Sequence, residues 1–180
     1  MSIEALRAAL PAYARDIATN LSVLAAETVL SDQARWGCFV ASAHAAGEGS
    51  TLGALEAAAL AAGLSAEALD GAKTASAAMA MTNVYFRALH LMEASEYRDL
   101  PSRLRMNRLS RPGVSAVDHE LWALAASAIN GCGACLDHHE AELRRRGATP
   151  VQIQAALRIA AVVNAVSRVR AAESLASPQK

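Results

Sequence analysis

Apolar residues recur through most of this chain at spacings of three and four, and glycine or proline interrupts them at intervals. This spacing is that of an α-helix, and no segment shows the two-residue alternation that is typical of a strand. Hydrophobic residues make up 53% of the chain but aromatic residues only 4%, and alanine occurs in long series. Small side chains suit helix packing far better than a sheet of β-branched strands. The sequence therefore predicts an all-α fold.

The chain has 180 residues, enough for one domain with a substantial core. Basic and acidic residues both number 17, so the formal net charge is zero and no basic stripe marks a nucleic-acid surface. The apolar runs are shorter than the roughly 18 to 20 residues of a membrane span. The first residues lack the pattern of a secretory signal. We expect a cytoplasmic protein that binds neither nucleic acid nor membrane.

Start and stop signals of helices recur along the chain. One helix is predicted from Pro11 to about Thr28, because proline is tolerated in a first turn. Pro101, Arg111–Pro112 and Gly113 predict an irregular connection. A short helix is predicted at 3–9, and another follows the break at 47–50 and ends at Gly63. The remaining predicted helices are 31–46, 66–93, 115–130, 132–146 and 149–174.

The two halves of the chain resemble each other. Gly63–Leu69 aligns with Gly147–Ile153, and Ala41–Ala43 aligns with Ala126–Ala128 at nearly the same offset. We predict a weak internal duplication of a helical unit, over about 31–93 and 115–174, inside a single domain that spans 1–180. Only the second copy carries a close pair of cysteines, so its chemistry is expected there.

That pair is Cys132 and Cys135, and His139 follows it. If Gly131 ends one helix and Cys132 begins the next, offsets of three and four residues put both thiols and the imidazole on one helix face. A helix N-terminus carries partial positive charge and unpaired amides, which favour a thiolate over a thiol. The spacing predicts a reactive Cys135 with His139 as its base.

The same Cys-x-x-Cys spacing also serves zinc, which in structural sites takes four ligands. The third cysteine, Cys38, lies far upstream in an apolar helix pattern, where we expect a small core side chain. Glu120, His138 and His139 would have to complete a less usual zinc site. A zinc-stabilised binding module and an inert buried pair are therefore the alternatives to redox activity.

Glu120 lies about one helix upstream of the thiols, and it belongs either to a solvated face or to the site. If the turn at Gly131 folds the next helix back alongside, the carboxylate would orient His139 or relay a proton through water. His138 lies about 100° around the helix from His139. We expect four histidines at the surface: His44, His90, His119 and His138.

Several segments carry a family resemblance. The longest is the run from Glu120-Leu121-Trp122 through Ser127-Ala128-Ile129-Asn130-Gly131-Cys132-Gly133-Ala134-Cys135 to His139-Glu140. It resembles the alkyl hydroperoxide reductase AhpD family, within the carboxymuconolactone decarboxylase-like superfamily. Similar stretches elsewhere extend the resemblance over almost the whole chain: Met1–Leu6, Trp36-Gly37, Met81–Tyr85 and Leu104–Asn107.

The resemblance implies an all-α, commonly trimeric protein without a tightly bound cofactor or metal. Such proteins reduce organic hydroperoxides weakly and regenerate an AhpC-type peroxiredoxin. Their electrons come from dihydrolipoamide on a lipoylated subunit of a dehydrogenase complex. A carboxymuconolactone decarboxylase-like enzyme, whose chemistry needs no cysteine pair, and a general disulfide reductase are further alternatives.

The site residues carry over one by one. Cys135 corresponds to the thiol that becomes sulfenic acid, and Cys132 to its partner and proton donor, which closes a disulfide with it. His139 and Glu120 match the proton-relay positions. Ala134 stands where many members have histidine, which implies a slower thiol or a greater dependence on His139.

Overall fold

The computed structural model describes residues 2–105 and 114–176; Met1, Met106–Asn107, Arg111–Pro112 and Gly113 from the sequence analysis lie outside them. The described residues form eight α-helices and two short 3-10 turns, with no strand, so the all-α prediction is confirmed. The 3-10 turns are Ala12–Ala14 and Ser95–Arg98. The helices are α1 (Ile3–Ala8), α2 (Arg15–Ala26), α3 (Asp32–Ala46), α4 (Gly49–Ala61), α5 (Ala66–Leu91), α6 (Ala116–Asn130), α7 (Gly133–Arg145) and α8 (Pro150–Ala176).

Serine caps begin three of the long helices. The side-chain oxygens of Ser31, Ser65 and Ser115 each accept a hydrogen bond from the backbone N–H three residues ahead. At α4 the cap is Glu48, whose carboxylate accepts from the amides of Ser50 and Thr51. The predicted break at 47–50 is therefore shorter than expected, because this cap starts α4 at Gly49.

The second helix begins later than predicted. Pro11 is extended (φ −68°, ψ 163°) and leads into the 3-10 turn. Ala14, the last residue of that turn, has non-helical angles (φ −100°, ψ 19°) and is the N-cap of α2. At the other end Glu27 is extended, so α2 stops at Ala26 and does not reach Thr28.

Helices α3 and α6 pack against each other at the centre, and α5 and α8 each contact both. Gly37 on α3 faces the indole of Trp122 on α6, and a Cβ atom at position 37 would overlap that ring. Trp122 is fully buried, and its Nε1 donates to the Ala34 carbonyl at 3.1 Å. A glycine is thus what allows the two central helices to approach this closely.

Six of the eight described helices form two triplets of the same order, α3–α4–α5 and α6–α7–α8. Their lengths are 15, 13 and 26 residues in the first and 15, 13 and 27 in the second. Left-handed glycines occupy matching joints, Gly47 and Gly63 in one triplet and Gly131 and Gly147 in the other. Contacts also match, since α3 packs on α8 as α6 packs on α5. This regularity supports the internal duplication, which stays a prediction.

No described helix combines the length and the apolar character that crossing a bilayer requires.

Candidate active site

The turn between α6 and α7 carries the cysteine pair. Gly131 ends α6 in the left-handed conformation (φ 67°, ψ 38°), and the Cys132 amide donates to the Ser127 carbonyl at 3.2 Å. This six-to-one bond is that of a Schellman turn. Cys132 is the N-cap of α7, and Cys135 lies in its first turn, where its amide donates to the Cys132 carbonyl at 3.1 Å. The predicted helix break at Gly131 is confirmed.

Cys132 and Cys135 are joined by a disulfide, with their Cα atoms 5.3 Å apart. Cys132 is fully buried, whereas Cys135 is 7% exposed. Cys135 and Ala134 line a pocket of about 570 Å³, whose other apolar walls include Met79, Phe86 and Leu89. A pocket of this size takes an organic molecule of moderate size. A molecule bound in this pocket would contact Cys135 and not Cys132.

Helix α7 returns alongside α6 and brings His139 to Glu120. His139 Nδ1 lies 2.7 Å from Glu120 Oε2, and both residues line the pocket. Burial alone would raise the pKa of Glu120, but the hydrogen bond from His139 and the charges of His139 and His119 outweigh it and hold that pKa below its usual value. Glu120 is therefore an ionised partner of the imidazole and does not belong to a solvated face.

The other ring nitrogen of His139 meets a sulfur atom. Its Nε2 lies 3.2 Å from Sδ of Met79, which is 8% exposed and projects from α5. Met79 was not predicted from the sequence as a site residue. Its signal was its place four residues before Asn83, a buried polar residue on an alanine-rich helix, but that pattern alone is also typical of ordinary core packing.

A polar network ties α5 to the end of α6. Asn83, 1% exposed, donates through Nδ2 to Ser127 Oγ at 3.1 Å and accepts at Oδ1 from Asn130 Nδ2 at 2.9 Å. Arg87 donates to the Asn130 carbonyl, at the C-terminal end of α6 where a cation is favourable. These contacts position the turn that carries Cys132.

The histidine predictions have mixed outcomes. His90 and His138 are exposed, as expected, and His44 is half-buried in an ion pair with Glu56. The prediction for His119 is wrong, because this residue is only 7% exposed and lines the pocket. It lies three residues before Trp122 on the buried face of α6. Burial lowers the pKa of His119, although Glu120 opposes that change.

Cys38 is fully buried, as predicted, and burial raises its pKa well above the usual range. A thiol in that setting is inert at neutral pH. Within residues 2–105 and 114–176, no three His, Cys, Asp or Glu side chains converge so that they could hold a metal ion. The zinc alternative therefore has no ligand set in this part of the chain.

The arrangement brings together a dithiol in its oxidised form, an imidazole that a carboxylate holds, and a largely apolar pocket that reaches one of the two sulfur atoms. Such a set can take two electrons from a bound oxidant and accept them again from a second thiol compound.

Comparison with known proteins agrees with the sequence resemblance. Residues 95–177 match the Carboxymuconolactone decarboxylase family. Proteins named alkyl hydroperoxide reductase AhpD match nearly the whole chain. The one from Caulobacter vibrioides is 63% identical, over 99% of this chain and 98% of its own length. Those from Hyphomonas neptunium and Maricaulis maris are each 59% identical, over 97% of this chain and 96% and 100% of their own lengths.

Proposed function

This chain belongs to the alkyl hydroperoxide reductase AhpD family, and on that basis we propose that it reduces organic hydroperoxides through Cys132 and Cys135. We propose further that it relays electrons from dihydrolipoamide to an AhpC-type peroxiredoxin. The observation that carries this proposal is the disulfide at the N-terminus of α7, with Cys135 lining a largely apolar pocket that Glu120 and His139 also line.

In the reduced protein, His139 takes the proton of Cys135, and the resulting thiolate attacks the terminal oxygen of the hydroperoxide. An S–O bond forms, the O–O bond breaks, and the alkoxide leaves as an alcohol after taking a proton from Cys132. The Cys132 thiolate then attacks the sulfenic acid at Cys135. The S–S bond forms, and hydroxide leaves as water with the proton from His139, which then takes up a proton from solvent.

The burial of the two sulfur atoms supports this order of events. Cys135 lines the pocket, whereas Cys132 is fully buried behind it. A hydroperoxide in the pocket therefore meets Cys135 first, and Cys132 is the thiol that resolves. Ala134 also lines the pocket, so this part of the wall is a methyl group and not the histidine that the family resemblance would place there, and we propose His139 as the base.

Reduction of the disulfide closes the cycle. Dihydrolipoamide, carried on a lipoylated subunit of a dehydrogenase complex, exchanges its two thiols for the Cys132–Cys135 bond and leaves as lipoamide. Attack of the reduced dithiol on the disulfide of a partner peroxiredoxin gives the same oxidised state as peroxide does. Both reactions suit a reducing compartment, and we assign the protein to the cytoplasm.

We also propose a homotrimer. Large apolar side chains project into solvent from the second half of α5, where Val84 is 60% exposed and Leu91 is 73% exposed. Covering such side chains between subunits removes apolar surface from water. Light scattering on the purified protein tests this, and a monomer at micromolar concentration would contradict it.

Serine substitutions test the proposed chemistry. Cys135→Ser should reduce hydroperoxide turnover to the uncatalysed rate, because the attacking sulfur is gone. Cys132→Ser should still consume one equivalent of hydroperoxide and then stop, with a sulfenic acid trapped at Cys135. Cys38→Ser is the matched control and should turn over normally. Full activity of Cys135→Ser, or conversion of a lactone by the double cysteine variant, would contradict the proposal.

A further inference from the structure

His139 lies between two atoms that only accept hydrogen bonds. Its Nδ1 is 2.7 Å from Glu120 Oε2, and its Nε2 is 3.2 Å from Met79 Sδ. An ionised carboxylate carries no hydrogen, and a thioether sulfur carries none either. Each of the two contacts is a hydrogen bond only when the ring nitrogen supplies the hydrogen.

We propose that Met79 is a positioning residue of the thiol site, whose sulfur accepts Nε2–H and so keeps His139 doubly protonated while Cys132 and Cys135 are joined. The ionised Glu120 supplies the opposite charge. The imidazole is 7% exposed, so a bare Nε2 facing the sulfur would bring two lone pairs together in a buried place.

The sulfur is itself held in position. Asn83 Nδ2 lies 3.5 Å from Met79 Sδ, and its second hydrogen goes to Ser127 Oγ at 3.1 Å. Asn83 Oδ1 is occupied by Asn130 Nδ2. The carboxamide of Asn83 therefore contacts Ser127 and Asn130 of α6 as well as the thioether of Met79. These contacts hold the thioether in place beside His139.

The role of this proton rests on the proposed function. When a thiolate of the incoming dithiol attacks Cys135, the Cys132–Cys135 bond breaks and Cys132 leaves as a thiolate. The second sulfur of the dithiol then attacks the mixed disulfide, closes the ring disulfide of the donor and releases Cys135. Nε2–H of His139 protonates the released Cys135, and the remaining proton of the dithiol goes to Cys132, so that His139 is left neutral and acts as the base in the reduced protein.

Other charged and titratable groups face His139. Glu120 and His119 approach from α6, and the remaining walls of the pocket carry His90 of α5, Arg98 of the second 3-10 turn and His138 of α7. Glu142 of α7 acts on Glu120 through its charge. None of these groups is altered by changing Met79, so a change in the protonation of His139 in such a variant reports on the sulfur.

Nitrogen NMR of the oxidised protein, with ¹⁵N-labelled histidine, tests the proposal without any variant. At neutral pH both ring nitrogens of His139, assigned by loss of its signals in His139→Gln, should have the shifts of protonated nitrogen. A bare Nε2 would overturn the proposal. The measurement needs no turnover, so it succeeds or fails independently of the proposed function.

Met79→Leu conserves volume and removes the acceptor. The ratio of imidazolium to neutral imidazole should fall on the order of tenfold, as expected for one hydrogen bond to a charged group. Met79→Gln replaces sulfur with an amide oxygen and should restore both protonated nitrogens. Met81→Leu, at a half-buried position of the same helix, is the matched control and should resemble the wild type.

The pH profile of disulfide reduction by dihydrolipoamide gives a second readout. Because the proton donor is lost at lower pH in Met79→Leu, the falling limb of the profile should move down by about one pH unit. It should stay in place in Met81→Leu. Identical nitrogen shifts and identical profiles in Met79→Leu and the wild type would overturn the proposal, as would a Met79→Gln variant that behaves like Met79→Leu.

Discussion

Among the described residues that line the pocket, Glu120 is the one acidic side chain, and its hydrogen bond with His139 ties α6 to α7. Its pKa lies below the usual value because the contacts with His139 and His119 outweigh the opposing effect of burial. A carboxyl group whose pKa is lowered by folding stabilises the native state at pH values above its ordinary range. That contribution is lost as the pH falls through the folded-state pKa.

Glu120→Gln should therefore lower the free energy of unfolding at neutral pH by about 1.5 to 3 kcal/mol, the range for a hydrogen bond to a charged group. The difference from the wild type should shrink as the pH falls below about 4. Urea unfolding at a series of pH values measures it. Glu140→Gln, on the exposed side of α7, is the control and should change stability by less than about 0.5 kcal/mol. A difference that persists undiminished at pH 3 would contradict this role of Glu120.

The spacing of Cys135 and His139 was enough to predict their shared helix face, because both lie in α7 four residues apart and line the same pocket, whereas Cys132 is the extended N-cap that precedes the helix. The contact of Glu120 with His139 was only one of two readings, since it depends on how α7 packs against α6. Met79 and His119 were missed for the same reason. Both enter the site through tertiary packing, and a buried methionine or histidine on an alanine-rich helix has no local signature.

At the scale of elements, the turn between α6 and α7 places both thiols. Gly131 has a positive φ angle, whereas the φ angle of Gly133, the first residue of α7, is not positive. The sequence predicted this turn well, since a glycine between two helical patterns is a strong stop signal. The start of α2 was predicted less well, because proline at Pro11 suits an extended residue as much as a first turn.

These two glycines make a matched pair of substitutions. Gly131→Ala should destabilise the protein by about 1 kcal/mol, because an L side chain is strained in the left-handed region. In thermal unfolding followed by circular dichroism, that corresponds to a loss of roughly 2 to 4 °C. Gly133→Ala meets no atom within 4 Å and adopts ordinary backbone angles, so it should be neutral or slightly stabilising.

The reverse order of the two melting temperatures would show that the turn does not depend on Gly131. Reduced and oxidised proteins are both measured, so that any loss of the disulfide in Gly131→Ala is separated from the strain in the turn.

At the scale of the whole molecule, two similar helix triplets share one core and differ in chemistry. The N-cap of α7 is Cys132, whereas the N-cap of α4 is Glu48. Burial opposes ionisation of Glu48, but its bonds to Ser50 and Thr51 lower its pKa to about 2. The N-cap of the second helix thus carries a capping carboxylate in one triplet and a disulfide-bonded cysteine in the other. The sequence predicts the chemistry in the second triplet because only that copy carries a close cysteine pair, but alanine-rich segments align too easily to establish common origin.

The central packing of α3 on α6 joins the triplets and is tested by two alanine substitutions. Gly37→Ala should cost about 3 kcal/mol or more, because the new methyl group overlaps the buried Trp122 ring. Gly53→Ala lies in the exposed interior of α4 with no atom within 4 Å, and should stabilise by about 0.5 to 1 kcal/mol. Equal urea midpoints for the two variants would contradict this packing.

The central claim is that Cys132 and Cys135 form a reversible two-electron relay. The most direct measurement is mass spectrometry of the reduced protein after one equivalent of an organic hydroperoxide and then after dihydrolipoamide, with free thiols alkylated at each stage. We expect that Cys132 and Cys135 are no longer alkylated after the peroxide and are alkylated again after dihydrolipoamide. Cys38 should be alkylated at every stage when the samples are denatured. Free thiols at Cys132 and Cys135 that persist after the peroxide would contradict it.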